Sequence, residues 1–215
     1  MNKKNDKEKI GTILKLLKKR YKSEMNTSLY HSNPWELLVA TMLSAQSQDK
    51  QVNKITAPLF RKYSTIDSFS KLKPQQLYPY ISSIGLYKSK SKNIIKTAKT
   101  IKQNFNMQVP KTIDQLITLD GVGRKTANVV LANAFGINEG IAIDTHCITV
   151  ANRLKLANTN NPKKIEEKLM KIIDEKDWGN LTHLFIALGR DTCTARTKYC
   201  NECVLKNICP SSNSK

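Results

Sequence analysis

Apolar residues recur along this chain at intervals of three and four positions, and strict alternation is absent, so the pattern predicts helices throughout. Ile10, Ile13, Leu14 and Leu17 stripe a helix from about Asp6 to Lys22. Asn33-Pro34 opens a strongly amphipathic helix through Trp35, Leu38, Val39, Met42 and Leu43, ending near Gln46, because asparagine caps a helix start and proline is tolerated at its first position. Asp49 starts another helix, to about Tyr63, and shorter ones follow over 66–72 and 74–83. A longer helix from about Ser89 to Phe105 carries Ile94, Ile95, Ala98, Ile101 and Phe105 on one face. Thr112 with Gln115 reads as a capping box for a helix through Ile113, Leu116, Ile117 and Leu119. The next runs from about Arg124 to Phe135, apolar at Ala127, Val130, Leu131 and Ala134, with Gly136 as its stop. Beyond Asp144, helices are expected to Leu154, over 162–174, and over 179–188 with Gly189 as cap. The closing Pro-Ser-Ser-Asn-Ser-Lys reads as disordered. The fold class is all-α.

Chemistry enters at the turn Leu-Asp-Gly-Val-Gly-Arg-Lys-Thr-Ala, residues 119–127. Gly121 and Gly123 can take φ > 0 and carry no side chain, so the turn can present bare N–H groups to an anion at the positive end of the following helix. Lys125 sits in the first turn of that helix, and Asp144 stands at the expected start of another. Taken singly, glycines turn hairpins, lysines coat surfaces and aspartates cap helices. In combination they place an amine and a carboxylate at two helix starts, beside a seat for a phosphate.

Cys193, Cys200, Cys203 and Cys209 form a second constellation, C-x6-C-x2-C-x5-C, with Cys147 lying outside it. Four thiols so close together mean a metal centre or two disulfides. The segment from Met1 to Lys9 is polar and charged, unlike a signal peptide, so a reducing interior that disfavours disulfides is expected. Zinc usually takes two C-x2-C knuckles, and only one close pair is present, so the spacing leans towards an iron–sulfur cluster.

Charge narrows the partner. Lys and Arg number 36 against 17 Asp and Glu, a net charge of +19 over 215 residues. A chain this basic suits a polyanion such as DNA or RNA, although its richness in Lys, Asn and Ile makes part of the charge compositional. No apolar run reaches the roughly 18 residues of a membrane span. The expectation is a cytoplasmic monomer without membrane contact.

With Leu-Ser-Ala-Gln at 43–46, Ile-Gly-Leu-Tyr at 84–87, the glycine turn, Ile-Asp-Thr-His at 143–146 and the cysteine spacing in view, the chain resembles the endonuclease III family of helix-hairpin-helix DNA glycosylases. The resemblance implies two helical domains with a DNA-binding cleft between them. One is a six-helix barrel over 27–137; the other joins 1–26 to 138–215 and holds a 4Fe-4S cluster on Cys193, Cys200, Cys203 and Cys209. It also implies damaged double-stranded DNA as partner, excision of oxidised pyrimidines, and cleavage of the abasic strand. Lys125 would be the nucleophile, its free amine favoured by burial, by Arg124 and by the helix N-terminus, while Asp144 would accept a proton and stabilise a positive sugar. Gly121, Val122, Gly123, Arg124 and Thr126 would touch the DNA backbone, as would Arg196 and Lys198 in the first cysteine loop. Gln46, Leu86 and Ile84 would fill the gap left by a flipped nucleotide.

Two positions depart from the family pattern. Asp120 stands where proline is usual, putting a carboxylate near a phosphate seat unless Lys111 or Arg124 neutralises it. Cys147 replaces an apolar residue and is expected to be a buried thiol, and His146 to satisfy a core hydrogen bond. The related adenine-mismatch glycosylases lack the lysine, and a noncatalytic DNA-binding module would need neither Lys125 nor Asp144.

Overall fold

The computed structural model describes residues 3–213, with side chains from residue 7 onward. Among the described residues the chain is helices joined by turns, with one isolated antiparallel bridge between Cys193 and Lys198. It divides into two compact units. One is Ser28–Glu139; the other joins Met1–Thr27 to Gly140–Lys215. Among the described residues no helix is long and apolar enough to cross a membrane.

Helix α1, Lys3–Arg20, belongs to the discontinuous unit and buries the Ile10, Ile13, Leu14 and Leu17 stripe. The continuous unit begins with α2, Pro34–Ser44, whose Asn33 cap accepts the Glu36 N–H at 2.9 Å. Every residue from Trp35 to Leu43 is buried, so α2 is enclosed on all sides instead of amphipathic as the sequence suggested. Glu36 and Thr41 within it are satisfied locally. Glu36 accepts the Ser32 N–H at 2.7 Å, and Thr41 Oγ1 donates to the Leu37 carbonyl at 2.7 Å. A wholly buried leucine such as Leu38 makes this helix costly to disturb, about 2–5 kcal/mol for truncation to alanine.

Around α2 lie α3 (Asp49–Lys62), α4 (Ile66–Ser70), a 3-10 turn Pro74–Leu77 leading into α5 (Tyr78–Ile81), and α6 (Tyr87–Asn104), with α4 packed on α6. Next come α7 (Ile113–Leu116) and α8 (Arg124–Val130), which widens into a π turn over Leu131–Phe135. Helix α7 is shorter than its apolar pattern implied. Thr112 Oγ1 accepts the Gln115 N–H at 3.3 Å, and the Glu139 carboxylate takes the Ile113 N–H at 2.8 Å, a partner that the capping-box pattern does not contain. Gly136 ends the π turn with φ +66, as the glycine signal implied.

The discontinuous unit adds α9 (Thr145–Arg153), α10 (Pro162–Met170) and α11 (Trp178–Asp191), with α11 packed on α9. Gly189 does not cap α11 but lies inside it. A Cβ there would stand 3.0 Å from Cβ and Cδ2 of His146, so glycine serves close approach of the two helices. The tail expected to be disordered is held at residues 211 and 213: Lys198 Nζ donates to the Ser211 carbonyl at 2.9 Å and Asn213 Oδ1 at 2.7 Å, and Ser211 Oγ donates to the Arg153 carbonyl at 2.7 Å. Residues 214 and 215 of that tail lie outside the described residues.

Candidate active site

The glycine turn joins α7 to α8, and α6 supports it from behind. Gly121 has φ +76, and a Cβ on it would fall 2.6 Å from Asn93 Nδ2. Thr97 Oγ1 donates to the Asp120 carbonyl at 2.9 Å, and Lys96 Nζ meets Asp120 Oδ1 at 3.3 Å. Asn93, Lys96 and Thr97 follow the i, i+3, i+4 spacing of one helix face, so α6 presents them to the turn together. Asp120 is thus paired with Lys96, while the Lys111 ammonium lies over the Phe135 ring, 5.4 Å from its centre. Gly123, by contrast, is extended (φ −90, ψ 172), a conformation open to any residue, and a Cβ there meets nothing within 4 Å. Left-handed freedom is needed at Gly121 alone. Gly123 keeps the outer side of the turn clear.

Val122 is buried and its N–H is used by the Leu119 carbonyl at 3.1 Å, so it anchors the turn and presents no side chain outward. Arg124 and Lys125, the first two residues of α8, are exposed, and Thr126 is half-buried. The burial expected for Lys125 is therefore not a property of the protein by itself. The amides opening α8 lack intrahelical acceptors and sit beside this amine.

Asp144 lies in the other unit, where it caps α9. Its Oδ1 accepts the Cys147 N–H at 2.8 Å, and its Oδ2 faces His146 Nδ1 at 3.1 Å. His146 thus addresses the carboxylate and not a core group. The Asp144 side chain is 14% exposed, so the carboxylate is held in place yet reachable. Cys147 is a buried thiol contacting the Ala142 and Thr182 carbonyls at 3.7 and 3.9 Å.

Gln46 and Leu86 are both exposed and both left-handed, with φ 57 and 59. Ile84 departs from its expected role. At 5% exposure it belongs to the core under the Leu86 loop and has no side chain to offer a duplex. Arg196 is exposed, whereas Lys198 is occupied by Ser211 and Asn213.

All four clustered cysteines are half-buried. Burial pushes the Cys209 thiol up, a backbone hydrogen bond at Ser211 draws it partly back, and the charges of Cys193, Cys203 and Cys200 raise it again. Arg153 Nη1 lies 3.3 Å from Cys193 Sγ, and the Leu205 N–H donates to Cys203 Sγ at 3.4 Å. Arg153 also donates to the Thr194 and Ala195 carbonyls, fixing the first cysteine loop. Among the described residues no three His, Cys, Asp or Glu side chains converge to hold a single metal ion. Four half-buried thiols within one short segment, two of them with N–H donors on their sulfurs, have the chemistry of a thiolate ligand set.

Residues 39–175 match the HhH-GPD superfamily base excision DNA repair protein family. The chain is 42% identical to the endonuclease III of Synechocystis sp. over 208 residues, 97% of this chain and 94% of that protein. It is 43% identical to that of Escherichia coli K12 over 183 residues, 85% of this chain and 86% of the other. The chain belongs to the HhH-GPD superfamily of base excision DNA repair proteins. A solved endonuclease III, trapped as a covalent intermediate with DNA, matches with a TM-score of 0.88 at 39% identity, covering 95% of this chain and 96% of that one. A thermostable thymine-DNA glycosylase shares the HhH-GPD fold, with a TM-score of 0.84 at 19% identity.

As an HhH-GPD protein of the endonuclease III type, the chain is a DNA glycosylase and abasic-site lyase. Several residues that shape its candidate site escaped the sequence reading. Asn93, Lys96 and Thr97 look like ordinary members of a lysine-rich helix, and Gly189 like a helix stop. The Ile-Asp-Thr-His motif held the one usable signal: His146 two residues after a capping aspartate can reach back to it.

Proposed function

We propose that this glycosylase and abasic-site lyase works through one amine, excising oxidised pyrimidines from duplex DNA at Lys125 and cleaving the abasic strand by β-elimination from the same lysine Schiff base. The observation that carries the reading is Lys125 at the second position of α8, exposed directly behind the Gly121 to Gly123 turn. A phosphate on the turn's amides would bring the sugar of a nearby nucleotide to the amine. The amine attacks C1′; the bond from C1′ to the base breaks and the base leaves with a proton. Ring opening gives a Schiff base on Lys125. Loss of a C2′ proton then expels the 3′ phosphate, and water releases the lysine. Asp144, its carboxylate fixed by the Cys147 N–H and His146, stabilises the positive sugar and accepts a proton.

In the same reading the hairpin backbone with Arg124, Thr126 and Arg196 grips phosphates, and Gln46 with Leu86 fills the vacated stack, since a base must leave the duplex before it can be excised. Cys193, Cys200, Cys203 and Cys209 hold a 4Fe-4S cluster. When bound, that cluster braces the loop carrying Arg196; every step above belongs to the protein's own side chains.

Borohydride trapping on an abasic duplex tests the proposal. Wild-type protein is expected to give a covalent adduct, and Lys125→Gln none while still binding an abasic analogue. An adduct on Lys125→Gln assigns the nucleophile to another amine. A wild-type protein that neither excises nor traps has no such activity.

A further inference from the structure

A lysine on a surface helix normally sends its ammonium into water, yet Lys90, in the first turn of α6, is 7% exposed. Its Nζ donates to the carbonyls of Leu43 at 2.9 Å and Ala45 at 2.6 Å, and meets Ser47 Oγ at 3.3 Å. No carboxylate is among these partners. The carbonyls are those left over at the end of α2, the negative end of its dipole, where a cation is stabilised. Burial draws the ammonium below the ordinary lysine range. The backbone N–H of the same residue donates to the Leu86 carbonyl at 2.9 Å. The side chain of Lys90 therefore ties the chain on both sides of Gln46 to the first turn of α6, whose N-cap is Leu86.

The conformations at those two positions need such a grip. Gln46 follows the end of α2, a place where a left-handed residue is usually glycine, and Leu86 occupies the start of α6, where a cap is normally extended. Side-chain-bearing residues hold these conformations only where their surroundings fix them. A second tie comes from Gln51, whose Nε2 donates to Ser83 Oγ at 2.8 Å and links α3 to the Leu86 loop. Leu86 is 64% exposed, an apolar residue displayed on a left-handed backbone.

We propose that Lys90 is a positioning residue for DNA invasion: its buried ammonium locks the loop after α2 to the start of α6, so that Gln46 and Leu86 are presented together as a preformed wedge. This rests on the reading of Gln46 and Leu86 as the residues that fill a vacated stack. A wedge ordered before binding avoids the entropy cost of ordering it on the DNA.

The test uses full-length protein and thymine glycol placed either in a fully paired duplex or in an unpaired bubble, where no stack has to be opened. Lys90→Met is expected to slow single-turnover excision from the paired duplex by about tenfold, within the range for residues sharing one network, and excision from the bubble by less than about threefold. The fluorescence rise of a 2-aminopurine beside an abasic analogue, which reports unstacking, should fall with it. Lys90→Arg, which keeps the charge, should recover most of the duplex rate. In a Gln46→Ala, Leu86→Ala background the Lys90→Met penalty should vanish. Equal losses on both substrates, or a penalty undiminished in that background, overturn the proposal. If Lys90→Met does not fold, Lys90→Gln, whose amide can serve one carbonyl, takes its place in the same comparison. Should neither fold, the ammonium serves the unit as a whole and the proposal fails. Inactivity of wild-type protein on both substrates would instead strike the glycosylase reading beneath it.

Discussion

Gly121 and Gly123 sit two residues apart and do different work, so alanine at each should fail differently. At Gly121 the φ of +76 imposes the left-handed cost of about 1–2 kcal/mol on any residue with a Cβ. The new methyl would also meet Asn93 Nδ2 at 2.6 Å, displacing a flexible amide from the turn it supports. For a chain of this size each kcal/mol lowers the melting temperature by about 2–4 °C, so Gly121→Ala should melt about 2–8 °C below wild type. At Gly123 the backbone is already extended and the methyl meets nothing within 4 Å, so stability should change by less than about 1 kcal/mol. That methyl instead occupies the outer side of the turn, where a phosphate would approach. Affinity for an abasic-site analogue should fall by about tenfold, about 1.4 kcal/mol, on all sequences alike. Thermal melting and fluorescence anisotropy on the two variants separate the effects. A Gly123→Ala protein that binds as wild type would refute the turn as a phosphate seat, and a Gly121→Ala protein that melts as wild type would refute the strain argument.

Asp144→Asn keeps the cap acceptor but loses the charge, so base excision should drop by orders of magnitude while cleavage of a preformed abasic site falls less; equal losses in rapid-quench assays would contradict that division. Protein purified without oxidation should be yellow-brown with about four irons per chain, and colourless protein containing one zinc would reject the cluster. Binding to an uncleavable abasic duplex should weaken with salt at a log–log slope of about −0.9 per phosphate neutralised, and a flat titration would mark the +19 charge as compositional.

What could be read in advance was whatever has a local cause. The Asn33 cap, the Asp144 cap, the Gly136 stop and the α1 stripe all follow from neighbours within a turn or two, and the structure has each of them. Readings failed where the cause lies elsewhere in the chain. Gly189 looked like a cap because its reason, the His146 ring, is 43 residues away (189 − 146). Lys90 drew no notice in the sequence because its acceptors are carbonyls at the end of another helix. The polar tail looked free because nothing in Ser-Ser-Asn announces Lys198 and Arg153. Glu36 and Thr41 disguised the enclosure of α2, since polar residues satisfied within a turn imitate a solvent face.

Gly189 carries a warning for protein engineering. A glycine inside a fourteen-residue helix invites replacement by alanine, a change normally worth about 0.5–1 kcal/mol of added stability. Here the methyl would press on the His146 ring, which faces the Asp144 carboxylate, and the ring would have to yield by a few tenths of an ångström. Any gain in heat tolerance would then be drawn from the alignment of the carboxylate, and a selection scored on melting temperature alone would favour it without registering the loss.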